Sequence, residues 1–294
     1  MSAPQSQLPF TAAAVLGPGL LGGSVALAVR QRMPGCHIRL WARRQAPLDA
    51  AMQMGISHLA TTDIAEAVRG ADLIVLATPI GAFPQLVSAL LPALAPHALV
   101  TDVGSVKVAV HQTAGLAIAR SGHFFIGSHP MAGAEKQGLE HARADLLQGA
   151  TVALTNAHNA PAKLMARLRS FWQALGCRTC EMTPEAHDTA VARISHMPHV
   201  VAALCARAAV RSSDHAENLR LLAASGFRDT TRVSSGNPEM WADILRSNAP
   251  ALCAALSDCI SDLQEIKSLL EQQNEQAICS WLKQAKEARD SVQR

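Results

Sequence analysis

The chain has 294 residues, 49% of them hydrophobic, and a formal net charge of only +3. That length and apolar content can fill one large or two medium cores, so the chain is expected to fold unaided. The small charge, with its signs interspersed, excludes the electrostatic footprint of a nucleic-acid or anionic-membrane binder and leaves small molecules as the expected partners.

Seven cysteines, an odd number spread from Cys36 to Cys279, do not form a disulfide framework in a chain of this size and point to a reducing compartment. The N-terminal "MSAPQSQLPF" lacks a basic region and a long apolar core. No apolar run reaches the ~18 residues that a membrane span requires, so the expected location is the cytoplasm.

The first element, "TAAAVLGPGLLGGSVALAVRQR", reads as an apolar strand, a glycine turn and a helix. Its pattern Gly17-x-Gly19-x-x-Gly22, with Leu20 and Leu21 opening the helix, has the context of a dinucleotide site. Glycines let the backbone approach a pyrophosphate, and the helix start supplies unpaired N–H groups. The second strand, "HIRLWARR", ends in Ala42, Arg43 and Arg44. An NAD site places a carboxylate there to bind the ribose 2′-hydroxyl, whereas a 2′-phosphate needs cations, so NADP is favoured and NAD stays possible.

A third strand, Leu73 to Ala77, is closed by Thr78 and Pro79; a fourth, in "HALVTDVGSVKVAV", leads to Asp102, Gly104, Ser105 and Lys107. Strands alternating with helices imply a parallel sheet whose ligands gather beyond the carboxyl ends of the strands. A fifth strand, Phe124 to Gly127, precedes "SHPMAGAEKQG", where turn chemistry accounts for Pro130 and the glycines but not for His129. Ser105 has a second reading as a helix N-cap.

A further strand, "GATVALT", is followed by an amphipathic helix and a short strand containing Cys177-x-x-Cys180. That pair lacks a second pair, so neither a zinc nor a redox site is expected. From Thr183-Pro184-Glu185, an N-cap and first turn, the pattern turns helical and divides the chain into residues 1–184 and 185–294. Pro198 should kink the helix that carries Ser195, His196 and His199, letting polar side chains collect at the bend. The two histidines could share a face, but with no HExxH motif or adjacent acid no metal is expected. Arg228, Asp229 and Arg232 precede a Ser-Ser-Gly-Asn-Pro break and Trp241, and taken alone they read as solvated surface. The last long helix repeats Leu252, Leu256, Cys259, Leu263, Ile266 and Leu270 at steps of four and three, a seam for another helix of this chain or of a second copy.

Five stretches in order, "VLGPGLLGGSVALAV", "DVGSVK", "GSHPMAGAEKQG", "EAHD" with "SHMPH", and "GFRDTTRVSSGNPEMW", resemble over nearly the whole chain the prephenate and arogenate dehydrogenases of tyrosine biosynthesis. The resemblance implies an α/β Rossmann-type NAD(P)-binding domain at the N-terminus, an all-α dimerisation domain at the C-terminus, a substrate pocket between them and a homodimer. By the same resemblance His129 helps draw the proton from the substrate ring hydroxyl during hydride transfer, and Ser105 holds that hydroxyl. His199 and Ser195 line the substrate pocket, Arg232 grips a substrate carboxylate, Glu135 influences access, and Trp241 closes the wall. Where NAD-using members carry Asp, this chain has Ala42, in agreement with the argument for NADP.

Two other classes share parts of this pattern. A hydroxyacid or phosphogluconate dehydrogenase would carry a catalytic lysine in the helix that here holds "SHMPH", and a non-catalytic NADP sensor would not need His129, Ser105 and Arg232 together. Prephenate and arogenate, a keto group against an amine, are not separated.

Overall fold

The computed structural model describes residues 8–133, 136, 138–211 and 216–292. The chain opens with β1 (Ala12–Leu16), α1 (Leu20–Arg32), β2 (His37–Trp41), α2 (Gln45–Gln53), β3 (Leu59–Thr61), α3 (Ile64–Val68), β4 (Leu73–Leu76), α4 (Phe83–Leu90) and β5 (Leu99–Asp102). A helical stretch follows, α5 (Val108–Val110) passing through a π turn at His111–Gly115 into α6 (Leu116–Arg120), and then β6 (Phe124–Phe125). The strands form one parallel sheet in the order β3-β2-β1-β4-β5-β6. In such a sheet the order reverses between β1 and β4, which opens a crevice beyond their carboxyl ends.

Alternation along β1 shows how the sheet is sandwiched. Ala13 and Val15 face one apolar cluster with Val25, Val29, Leu40 and Trp172, while Ala12, Ala14 and Leu16 face another with Val68, Val87 and Ile118. Strand β3 escapes a reading by periodicity because it has only three residues.

A second, three-stranded sheet adds to the parallel one. After Phe125 the chain leaves the first sheet and at once enters β7 (Gly127–Pro130), which pairs antiparallel with β8 (Thr151–Thr155); β8 pairs parallel with β9 (Arg178–Glu181) across α7 (Ala162–Ala174). The strand expected to end at Gly127 is thus two strands, and His129 sits inside β7 opposite Ala153 instead of in a turn after it. Gly127 permits the junction: a Cβ there would lie 2.5 Å from Thr155 Oγ1 and 3.0 Å from Lys107 Cδ.

Beyond β9 the described elements are helical: α8 (Pro184–Val191), a π turn at Ala192–His196, α9 (Met197–Val210), α10 (Ala216–Leu222), α11 (Ser225–Thr231) and α12 (Pro238–Ser247). Thr183 caps α8 by accepting from the Ala186 N–H at 3.1 Å, with Pro184 in the first turn. The kink expected at Pro198 takes the form of the π turn just before it, a single widened turn that lets the backbone do without the proline N–H.

Packing joins everything through Asn248 into one compact unit, and a second begins at Ala249. The second unit is a hairpin of α13 (Ala249–Glu271) and α14 (Glu275–Val292). In the isolated chain Leu263 and Leu270 of the expected seam remain 58% exposed. Among the described residues no helix is long and apolar enough to cross a membrane.

Candidate active site

The glycine turn comes first. Gly17 adopts φ +106°, a conformation that favours glycine, and a Cβ on it would fall 2.9 Å from the Ala77 carbonyl carbon. Gly22 packs α1 against the turn so tightly that a Cβ would lie 2.2 Å from the Gly17 carbonyl oxygen, whereas a Cβ on Gly19 would meet nothing within 4 Å. One glycine therefore shapes the turn, one lets the helix close on it, and the middle one faces open space. Gly19 is the N-cap of α1 and offers no capping side chain, so the first amides of the helix point to that space without intrahelical partners.

Beside this turn lies a cleft of about 1140 Å³ lined by Gly17, Gly19, Arg43, Arg44, Thr78 and Pro79, together with Trp41, Ala42 and the stretch Gly138–Glu140. Arg43 and Arg44 are exposed at its rim. These features fit a dinucleotide: open space at the middle glycine, free helix-start amides and two cations at the end of β2. Leu20, Leu21 and Gly22 build the first turn of α1 and do not line the cleft. Ser105 also lies outside it, half-exposed in the loop after β5.

That loop is anchored by buried charges. Asp102, at the end of β5, accepts from the Ser128 N–H at 3.0 Å and the Gly104 N–H at 2.9 Å and pairs with the Lys107 ammonium, both side chains being fully buried. Burial pushes the Lys107 ammonium below its ordinary value, opposed by Asp102. Ser105 is thereby held between two residues of one ion pair, and β5 is tied to β7 next to His129.

The N-terminus of α5 is capped from far along the chain. Asp188 on α8 accepts from the Lys107 N–H at 2.7 Å and from the Val108 N–H at 2.8 Å, one amide on each carboxylate oxygen. The helix-capping alternative for Ser105 is thus filled by Asp188. The same carboxylate meets His187 Nδ1 at 2.7 Å, and His187 Nε2 meets His129 Nδ1 at 2.8 Å. All three side chains are buried. Burial, followed by Lys107, His187 and His196, holds the His129 imidazole well below its ordinary pKa, so it is neutral at physiological pH.

Helices supply the opposite wall. Ser195 and His196 lie in the π turn, and Asn248 donates one amide to the Asp188 carbonyl at 2.9 Å and reaches His196 Nδ1 at 3.1 Å. Burial lowers the His196 pKa to about 4. His199, one turn on, stacks on Trp241 with ring centroids 3.6 Å apart and planes at 14°. Its pKa is lowered by burial, opposed by a hydrogen bond to the Val233 backbone, and its Nδ1 is buried without a partner among the described residues. Trp241 in turn requires Gly236, where a Cβ would stand 2.3 Å from the indole nitrogen. Arg232 is exposed and opens the 3-10 turn Arg232–Ser235 that follows α11. Glu135 lies outside the described residues.

The structure thus places Gly17, Gly19, Arg43, Arg44, Thr78 and Pro79 on one cleft, buries His129 on β7, and stacks His199 on Trp241. Sequence reasoning gave no role to His187, Asp188 or Asn248. The available signal was the pair His187-Asp188 one helical turn after a strong N-cap, polar residues on a buried face. Cys177 is buried, with its thiol pushed up to about 11, and is unreactive; among the described residues no cluster could hold a metal.

A Rossmann-ordered sheet with a glycine cradle, followed by helices that bring a polar wall to a histidine at the carboxyl end of the strands, defines a nicotinamide-dependent dehydrogenase. Residues 25–181 match the family model "Prephenate dehydrogenase, nucleotide-binding domain" and residues 183–284 match "Prephenate dehydrogenase, dimerization domain". The chain belongs to the prephenate dehydrogenase family. It is 34% identical over 281 residues to the cyclohexadienyl dehydrogenase of Zymomonas mobilis, covering 95% of each chain, and 32% identical to the prephenate dehydrogenase of Bacillus subtilis, covering 94% of this chain and 74% of that one. Among solved structures it resembles prephenate dehydrogenase from A. aeolicus in complex with hydroxyphenyl propionate and NAD+, with a TM-score of 0.89, 27% identity and coverage of 99% and 100%. It also resembles Synechocystis arogenate dehydrogenase, with a TM-score of 0.82, 34% identity and coverage of 96% and 99%.

Proposed function

We propose that the protein catalyses the oxidative decarboxylation of prephenate, arogenate or both, with NADP as the preferred hydride acceptor. The observation that carries this reading is a buried imidazole, His129, beside the carboxyl ends of a Rossmann sheet. The relatives' names supply the substrate class: prephenate, arogenate and cyclohexadienyl dehydrogenases.

The residues fit the chemistry. A cyclohexadienol carries a C4 hydroxyl and a C1 carboxylate. His129 accepts the C4 hydroxyl proton as the C4 hydrogen leaves as hydride, and returns it to the phenolic oxygen once the bond from C1 to the carboxylate breaks and its electrons complete the aromatic ring. The balance is one substrate and one oxidised cofactor to one phenol, carbon dioxide and reduced cofactor. Ser105 holds the hydroxyl, and His199, whose buried Nδ1 has no partner among the described residues, lines the substrate pocket. Arg232 pairs with a substrate carboxylate, as a guanidinium does in bidentate fashion. Ser195 and Trp241 complete the wall. When bound, the nicotinamide supplies the hydride acceptor, and Gly17 to Gly22, Thr78 and Pro79 hold the dinucleotide.

The NADP preference is supported by Arg43 and Arg44 on the cleft and by Ala42 where a carboxylate would select NAD. A homodimer is supported by the match to a dimerization domain and by the exposed Leu263 and Leu270. We place the protein in the cytoplasm on its reduced cysteines, and take residues 1–184 and 185–294 as its cofactor and substrate-dimerisation domains.

Steady-state assays crossing both substrates with both cofactors test the reading. General-base assistance contributes about 100- to 10,000-fold, so His129→Asn should lower turnover by that order while leaving cofactor binding nearly intact. Arg232→Ala should mainly raise the substrate KM. Near-normal turnover of His129→Asn with both substrates at saturation would make the histidine structural. Light scattering should show a dimer at micromolar concentration.

A further inference from the structure

We propose that His187, held by Asp188, is a positioning residue that fixes His129 in the tautomer with Nδ1–H and a free Nε2. The argument is one of hydrogen-bond direction and rests on the reading of His129 as the base. A carboxylate only accepts, and Asp188 already takes the Lys107 and Val108 amides at 2.7 and 2.8 Å, so the proton in the 2.7 Å contact to His187 belongs to His187 Nδ1. With that single proton on the His187 ring, its lone pair lies on Nε2. The next contact, 2.8 Å from His187 Nε2 to His129 Nδ1, must therefore be donated by His129. That leaves the His129 lone pair on Nε2, the nitrogen turned away from the chain of contacts. The far end of the relay is anchored, since Asp188 is locked to two backbone amides and its own carbonyl accepts from Asn248 at 2.9 Å.

Two electrostatic effects divide the work. Burial and Lys107 hold the His129 imidazole below its ordinary pKa and so favour its accepting form, and once it carries the substrate proton its Nδ1–H remains bonded to His187, which Asp188 backs. Without His187 the ring could flip or take the other tautomer, and would then present an N–H to a hydroxyl that needs an acceptor. Such a loss acts on the chemical step, because His187 does not line the cofactor cleft.

The test uses the full-length protein. Ring nitrogen NMR of histidine-labelled enzyme, with His129 assigned by its loss in His129→Asn, should show a proton-bearing Nδ1 and a bare Nε2 in the wild type, a measurement that needs no His187 variant to fold. His187→Gln, whose carboxamide oxygen can reach the Nε2 position and accept from His129, should keep that tautomer and stay within about 5-fold of wild-type kcat. His187→Leu should lose the tautomer and lower kcat on the order of 100-fold, the range of a lost base, with the cofactor KM unchanged. A wild-type His129 carrying its proton on Nε2, or a folded His187→Leu with wild-type kcat while His129→Asn is inactive, would overturn the proposal. An active His129→Asn would instead overturn the base reading on which it rests.

Discussion

Replacing Gly22 by alanine puts the cofactor cradle to a quantitative test. The added Cβ would lie 2.2 Å from the Gly17 carbonyl oxygen and 2.9 Å from Ala77 Cβ, both far inside contact distance. Restoring even a 3.0 Å approach to the oxygen moves the start of α1 back by about 0.8 Å, and the neighbour is backbone, which cannot rotate aside. Overpacking of this kind costs about 1–3 kcal/mol. It also shifts the helix-start amides on which the pyrophosphate must sit, and a displacement near 1 Å can cost about 100-fold. The expected outcome is a cofactor Kd raised about 10- to 100-fold and a Tm lowered by several degrees, read by fluorescence titration of NADPH and by calorimetry. Gly19→Ala is the paired control. Its Cβ meets nothing within 4 Å, so the apo protein should keep its Tm, yet the methyl occupies the path of the pyrophosphate and should weaken the cofactor to a similar degree. Wild-type cofactor affinity in Gly22→Ala, or in Gly19→Ala, would refute the assignment of this turn.

Other outcomes follow from the same geometry. Arg43→Ala combined with Arg44→Ala should lower kcat/KM with NADP by about 10- to 100-fold, the worth of lost charge-assisted bonds, while efficiency with NAD changes little. Trp241→Ala removes the stack on His199, about 1 kcal/mol beyond burial, and should raise the substrate KM several-fold with the cofactor KM unchanged. His196 and His111 are buried neutral, with pKa values lowered to about 4 and about 3 from an ordinary 6.5. The unfolded chain therefore binds protons first on acidification, so stability present above pH 6.5 is lost as pH falls toward 4 for His196 and toward 3 for His111. At about 1.4 kcal/mol per unit the loss is on the order of 3 kcal/mol for His196 alone. Denaturant titrations at pH 7 and 4.5 should show it, and His196→Gln should shrink the difference.

Much of the fold was legible because its determinants are local. The glycine turn, the apolar strands β1, β4 and β5, the cap of α8 by Thr183 and the basic end of β2 each depend on residues within a few positions of one another, and the spacing of such residues is what a sequence displays. The same holds for the nucleotide class of the ligand. The identity of His129 as a candidate base was also readable, since a histidine after a strand in a Rossmann pattern stands at the ligand side of the sheet.

What the sequence could not display is how His129 is held. Its strand is stitched into a second sheet, its Nδ1 meets a residue 58 positions later, and the amides that lock Asp188 are 80 and 81 positions before it. No periodicity marks such bonds, because a buried carboxylate takes whatever donors the packing of α5 against α8 brings to it. Ser105 has a second reading as a cap, a role that the structure gives to Asp188. The sequence by itself placed a histidine after an apolar strand on the ligand side of the sheet, while its burial came only with the fold. Only the tertiary structure, by ending a chain of hydrogen bonds in a group that cannot donate, decided which of its two nitrogens is free to accept a proton.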